Sequence, residues 1–148
     1  MNALIKLGNK ILDIAKLFQP LGPLLARITV GWVFVTAGWG KIHNIDKVIG
    51  FFTSLGIPAP VFQAHMTAYT EFIGGLLLIA GLATRISSVA LGIIMIVALK
   101  TALAEDIHGF TDLVGLTEYL YLVMLVWLAV AGPGKLAIDA LIARKYRK

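Results

Sequence analysis

Residues 61–104 read VFQAHMTAYTEFIGGLLLIAGLATRISSVALGIIMIVALKTALA, two apolar runs separated by a single Ala83-Thr84-Arg85 turn. The runs, about 61–82 and 86–104, each have the ~20 residues that a helix needs to cross the hydrocarbon of a bilayer. So short a connection makes them antiparallel neighbours. Working outward, a similar run covers about 21–39, after the break at Pro20-Leu-Gly-Pro23, and another covers about 113–131, before Gly132-Pro-Gly134. Between them lie a polar, turn-rich connection at 40–60 and an acidic one at 105–112.

Composition agrees with this pattern. The 148 residues are 59% hydrophobic and 14% charged, with a mean hydropathy of +0.88, whereas soluble domains are about half apolar and a quarter charged. A bilayer accepts such surface directly if the backbone is helical, and the weak alternating strands of a membrane barrel are not present. The expected fold is therefore an all-α transmembrane four-helix bundle over residues 21–140. Residues 1–18 place Leu4, Leu7, Ile11, Ile14 and Phe18 at helical spacing between lysines, as an amphipathic helix lying on the membrane would. Residues 141–148 form a basic tail.

The charges set an orientation. Lys6, Lys10, Lys16, Arg85, Lys135, Arg144, Lys145, Arg147 and Lys148 fall on one side of the expected spans, against Lys41 and Lys47 on the other. Positive loops stay in the cytoplasm, so both termini are expected there. The net charge of +5 is thus explained by topology, and no nucleic-acid partner is implied. The absence of cysteine excludes disulfides, thiolate metal sites and a cysteine nucleophile. His43, His65 and His108 lack the close spacing of a ligand pair, so no metal site is assigned.

Arg27, Glu71, Lys100 and Glu118 lie inside the apolar runs. Each costs on the order of 2.5–3.5 kcal/mol at a helix centre on the insertion scale, so they should pair or line a wet cavity. Counting down from Lys41 and from Val61 puts Arg27 at ~21 Å and Glu71 at ~15 Å, which predicts an Arg27–Glu71 pair. Lys100 and Glu118, nearer the surface, form the natural second pair. Arg27, Gly31, Phe34, Gly38 and Lys41 share one helix side, and Glu71, Gly74, Leu78, Gly81 and Arg85 share another. Gly31, Gly38, Gly74, Gly75 and Gly81 are expected to let these helices approach closely. The buried charges serve either as structural glue or as a ligand or proton site. His65 and Tyr69 fit interfacial anchoring better, with a place in an additional pocket as the alternative.

The pattern Arg27-x-x-x-Gly31-x-x-Phe34-x-x-Ala37-Gly38-x-x-Lys41 resembles the first-helix signature of the DoxX family, which includes DoxD-like proteins. Glu71-x-x-Gly74-Gly75-x-x-Leu78-x-x-Gly81-Leu82-x-Thr84-Arg85 resembles its second block, and Gly132-Pro-Gly134 followed by Asp139 its closing element. The resemblance implies a small four-helix inner-membrane protein tied to redox chemistry, sulfur metabolism or oxidative stress, with some relatives serving a thiosulfate:quinone oxidoreductase. Haem and flavin signatures are lacking, so the chain is expected not to be catalytic alone, and no catalytic residue is assigned. The leading expectation is an accessory membrane subunit with redox or sulfur-metabolism protein partners. It would hold a hydrophobic ligand, a quinone being the candidate, through Arg27, Lys41, Glu71 and Tyr69. A proton-coupled transporter, requiring a homo-oligomer, and a membrane assembly or scaffold factor are the alternatives.

Overall fold

The computed structural model describes residues 10, 13 and 16–146, with the side chain of Tyr146 excepted. The amphipathic helix expected at 1–18 therefore lies largely outside the described residues. Where it is described, at its end, Leu17 and Phe18 are exposed and helical.

Among the described residues the chain is all-helical. Four long helices, α1 (Leu21–His43), α3 (Pro60–Ala80), α4 (Thr84–Lys100) and α6 (Thr117–Ala131), form a ring in which α1 packs on α3, α3 on α4, α4 on α6 and α6 back on α1. Three short helices, α2 (Ile45–Ser54), α5 (Phe110–Gly115) and α7 (Ile138–Tyr146), decorate its ends, with a 3-10 turn at Ala104–Asp106. The shared core is apolar, with Val30, Phe34, Leu78, Leu91, Leu125 and Leu128 sealed from solvent. Among the described residues, the stretch Lys16–His43, which includes α1, is the one helical stretch long and apolar enough to cross a membrane by itself.

Two local details differ from the sequence expectation. The connection at 40–60 contains α2, whose Ile45, Val48, Ile49, Phe52 and Leu55 follow helical spacing although polar residues surround them. The last long run is broken at Leu116, which is extended at φ −76° and ψ 133° between Gly115 and Thr117, both weak helix formers. The basic residues Arg144 and Lys145 of the tail lie in the last turn of α7, which begins at Ile138.

The tightest contact is between α1 and α3, where backbones meet without intervening side chains. A Cβ on Gly31 would lie 2.8 Å from the Gly75 carbonyl oxygen, one on Gly75 would lie 2.7 Å from the Gly31 carbonyl oxygen, and one on Gly38 would lie 2.8 Å from the Ala68 carbonyl oxygen. Gly74, on the next face, lets Leu91 of α4 approach to 3.2 Å from the same virtual atom. These contacts lock the register of the antiparallel pair: Gly31 stands opposite Gly75, and Gly38 opposite Ala68.

The end of the ring near Arg27 is closed by a clamp. Helix α3 stops at Gly81, whose φ of +70° lets Gly81 N–H donate to Leu78 O and Leu82 N–H donate to Leu77 O, a Schellman termination. Ala83 then takes φ +49°, a conformation that costs an L-residue about 1–2 kcal/mol. Asp139 offsets this from far along the chain. Its carboxylate accepts the Ala83 N–H at 2.9 Å and the Thr84 N–H at 3.0 Å, capping α4, while its own N–H donates to the Gly81 carbonyl at 2.9 Å. A negative group at a helix N-terminus is favourable on electrostatic grounds too. Arg27, fully buried, donates from Nη2 to the Leu136 carbonyl at 2.5 Å and fills the space where any side chain on Gly81 would sit. Three distant parts of the chain thus meet at one point.

Two consequences are measurable by thermal unfolding in detergent. Gly75→Ala should destabilise by about 1–3 kcal/mol because it forces α1 from α3, whereas Gly40→Ala, with nothing within 4 Å, should stabilise by up to about 1 kcal/mol through helix propensity. Asp139→Ala should cost about 1–2 kcal/mol and speed amide exchange at Ala83 and Thr84, and Ala83→Gly should recover about 1 kcal/mol of it.

Candidate functional site

At the opposite end from the clamp, the ring opens into a cavity of about 290 Å³ between α1, α3, α4 and the start of α6, covered by α2. Most of its wall is apolar, with Phe52, Leu55, Ile57, Ile94 and Met95 contributing side chains from α2, the loop after it and α4. The polar groups are few: Lys41, Glu71, Glu118, Gln63, Thr67 and Thr101. Apolar walls with a small number of convergent polar groups are the usual make-up of a small-molecule site, and this volume lies at the lower limit of the ~300–1,000 Å³ typical of one.

The central feature is an ion pair between Lys41 Nζ and Glu71 Oε2. The two partners are unequally covered, Glu71 having 2% of its side chain exposed and Lys41 30%. The carboxylate is therefore held within the protein, while the ammonium bridges it to the cavity mouth. Glu118, in the first turn of α6, adds a second carboxylate to the wall.

This pairing replaces the Arg27–Glu71 pair expected from depth. The glycine register puts Lys41 level with His65 and Arg27 level with Ile79, so α3 begins about one turn beyond Lys41 and the two helices cannot be counted from a common plane. Arg27 and Glu71 are consequently ~12 Å apart along the axis, and Lys41 and Glu71 ~9 Å. Side-chain direction decides the rest. Helical side chains lean toward their own N-terminus, so in antiparallel helices Lys41 and Glu71 lean toward each other, whereas Arg27 leans away toward the clamp. There it bonds Leu136 and feels the charge of Asp139.

The second expected pair is not formed either. Among the described residues Lys100 has no carboxylate within ion-pair distance, and it lies exposed at the end of α4, where a cation favours the helix dipole. Its expected partner, Glu118, is in the cavity wall instead. His65 and Tyr69 stack on each other with ring centroids 6.5 Å apart on the outer side of α3, His65 Nδ1 bonding Val61 O at 2.8 Å. Tyr69 is 50% exposed and does not line the cavity. Of the expected ligand contacts, then, Lys41, Glu71 and Glu118 come together, and Arg27, Tyr69, His65 and Lys100 do not join them. What sequence reasoning missed was the cover: the helical spacing of Ile45, Val48, Ile49, Phe52 and Leu55 was the signal that could have found it.

Comparison with known proteins agrees with this arrangement of motifs. The DoxX family model matches residues 22–104, a segment that includes the ion pair and Arg27. The chain is similar to "Putative oxidoreductase CatD" of Bacillus subtilis, with 35% identity over 82% of this chain and 87% of that protein. It is similar also to "Inner membrane protein YqjF" of Escherichia coli, with 30% identity over 88% of this chain and 99% of that protein. No solved structure matches it. On a family match over more than half its length, and on relatives aligned over most of theirs, the chain belongs to the DoxX family.

Proposed function

We propose that this DoxX-family chain is a multi-pass protein of the bacterial inner membrane, and that its cavity holds a small hydrophobic ligand of the quinone class on behalf of a redox complex. The observation that carries the reading is the cavity itself: apolar walls around a buried Glu71 whose partner, Lys41, remains partly accessible.

The membrane placement is supported by what the ring turns outward. Trp32, Ile73, Val89 and Val126, one from each long helix, are exposed by 63%, 51%, 54% and 55%, and many further apolar side chains on these helices are exposed too, a surface unsuited to water. Helix α4, with 17 residues, spans ~26 Å, a little less than the ~30 Å of a bilayer core. Lys100 at its end can extend its ammonium to the interface. Helix α6 is shorter, and α5 continues it after the break at Leu116. The excess of Lys and Arg at the clamp end favours cytoplasmic termini, which puts the cavity in the outer half.

The ligand class follows from the polar groups. A quinone presents carbonyl oxygens on an otherwise apolar ring, and its apolar tail can leave the cavity into lipid. Lys41 is placed to donate to one oxygen without leaving Glu71, since an ammonium has three donors. Glu71 and Glu118 supply carboxylates for the protons that quinone reduction takes up. The chain has no cysteine and hence no thiol carrier, and we assign the supply of electrons to a redox partner. A relative bearing an oxidoreductase name is consistent with such a setting.

Titration of the detergent-solubilised chain with a short-tailed ubiquinone analogue, followed by calorimetry, tests the proposal. Binding should weaken about tenfold or more in Glu71→Gln and in Lys41→Met, the loss of one charge-assisted contact being worth ~1.5–3 kcal/mol. Tyr69→Phe should bind as the parent does. Absence of binding by the intact chain, or equal binding by all four proteins, would sink the quinone reading. Stability should separate from binding in the same set: Lys41→Met leaves a buried charge without its partner and should unfold earlier than the Lys41→Met/Glu71→Leu double variant.

A further inference from the structure

The far end of the molecule carries a second surface of distinct chemistry. Helix α7 (Ile138–Tyr146) is pinned to the clamp through Asp139 and the buried Ala137. At 100° per residue, Ile138, Leu141 and Ile142 share one stripe, Lys145 falls within it, Arg144 borders it on one side and Asp139 on the other, and Ala140 points away. The stripe is not packed on the bundle: Ile138, Leu141 and Ile142 are 40%, 60% and 44% exposed.

Acidic residues are sparse in the segments that lead to and from this stripe. From Phe72 to Ala104, and again from Tyr119 to Lys148, the sequence contains a single acidic residue, Asp139, and its carboxylate is already engaged by the Ala83 and Thr84 N–H groups. The basic residues in the same segments include Arg85, Lys135, Arg144 and Lys145. Exposed apolar side chains flanked by uncompensated cations suit an interface in which acyl chains lie below a layer of phosphates. Free phosphate would meet the cations and leave the apolar stripe in water.

We infer that α7 is an interfacial foot that docks onto anionic phospholipid, its stripe of Ile138, Leu141 and Ile142 entering beneath the headgroups and Arg144 and Lys145 meeting the phosphates. The inference rests on the membrane reading above but not on the cavity. Because Asp139 ties α7 to the α3–α4 turn, the foot would hold one end of the ring at a fixed depth.

The chain has no cysteine, so Leu141→Cys supplies a unique site for an environment-sensitive fluorophore. The labelled full chain is reconstituted into vesicles of phosphatidylcholine alone and of phosphatidylcholine with phosphatidylglycerol, with insertion verified by protease protection of the connecting loops. Blue-shifted, brighter emission with phosphatidylglycerol is expected. It should revert in about 1 M salt, where screening acts over ~3 Å. Docking should weaken about thirtyfold in the Arg144→Gln/Lys145→Gln variant, roughly fivefold for each cation at an anionic surface. Identical emission in the two lipids would overturn the inference, as would a shift produced by inorganic phosphate in phosphatidylcholine vesicles. Quinone-analogue binding by the same labelled chain reports separately on the cavity.

Discussion

Backbone contact between α1 and α3 governs where the charged side chains of these two helices can meet. Where Gly31 meets Gly75 and Gly38 meets Ala68, the helices are too close to slide, because sliding would drive side chains into the opposing backbone. A fixed register between antiparallel helices also fixes which side chains converge. Residues that lean toward one another across the contact can pair, as Lys41 and Glu71 do, and residues that lean apart cannot, however near their depths. The glycines therefore act on the charge chemistry as well as on packing.

The same geometry separates the buried charges by task. Arg27 is taken to one end, where it joins Leu136 and the field of Asp139. Lys41, Glu71 and Glu118 are gathered at the other around a space with apolar walls. The clamp satisfies the start of α4, which has no side-chain cap of its own, and so holds the α3–α4 hairpin to the first and last parts of the chain. Between clamp and cavity lies a core of Leu, Val and Phe that carries no charge. Charged groups are thus kept at the ends, Arg27 bonding there through Nη2 alone and Lys41 and Glu71 bonding each other.

Much of this was legible in the residues. Apolar run lengths indicated helices, and the Ala83-Thr84-Arg85 turn indicated antiparallel neighbours. The motifs around Arg27, Glu71 and Asp139 pointed to the DoxX family. The glycines stood on the helix faces that carry the charges. Less legible were features that depend on contacts distant in sequence. Helix α2 was hidden because its apolar positions alternate with polar ones in a segment rich in turn formers, and the break at Leu116 because one extended residue barely alters hydropathy.

Pairing of the charges marks where sequence alone ran out. Residue types and spacing determined that Arg27, Lys41, Glu71, Lys100 and Glu118 would need partners, a cavity or water, since charge in an apolar helix is costly whatever surrounds it. Which partner each one takes was decided by tertiary structure. Depth counted along one helix has no common origin with depth counted along another until their register is set, and the direction of each side chain follows from which way its helix runs.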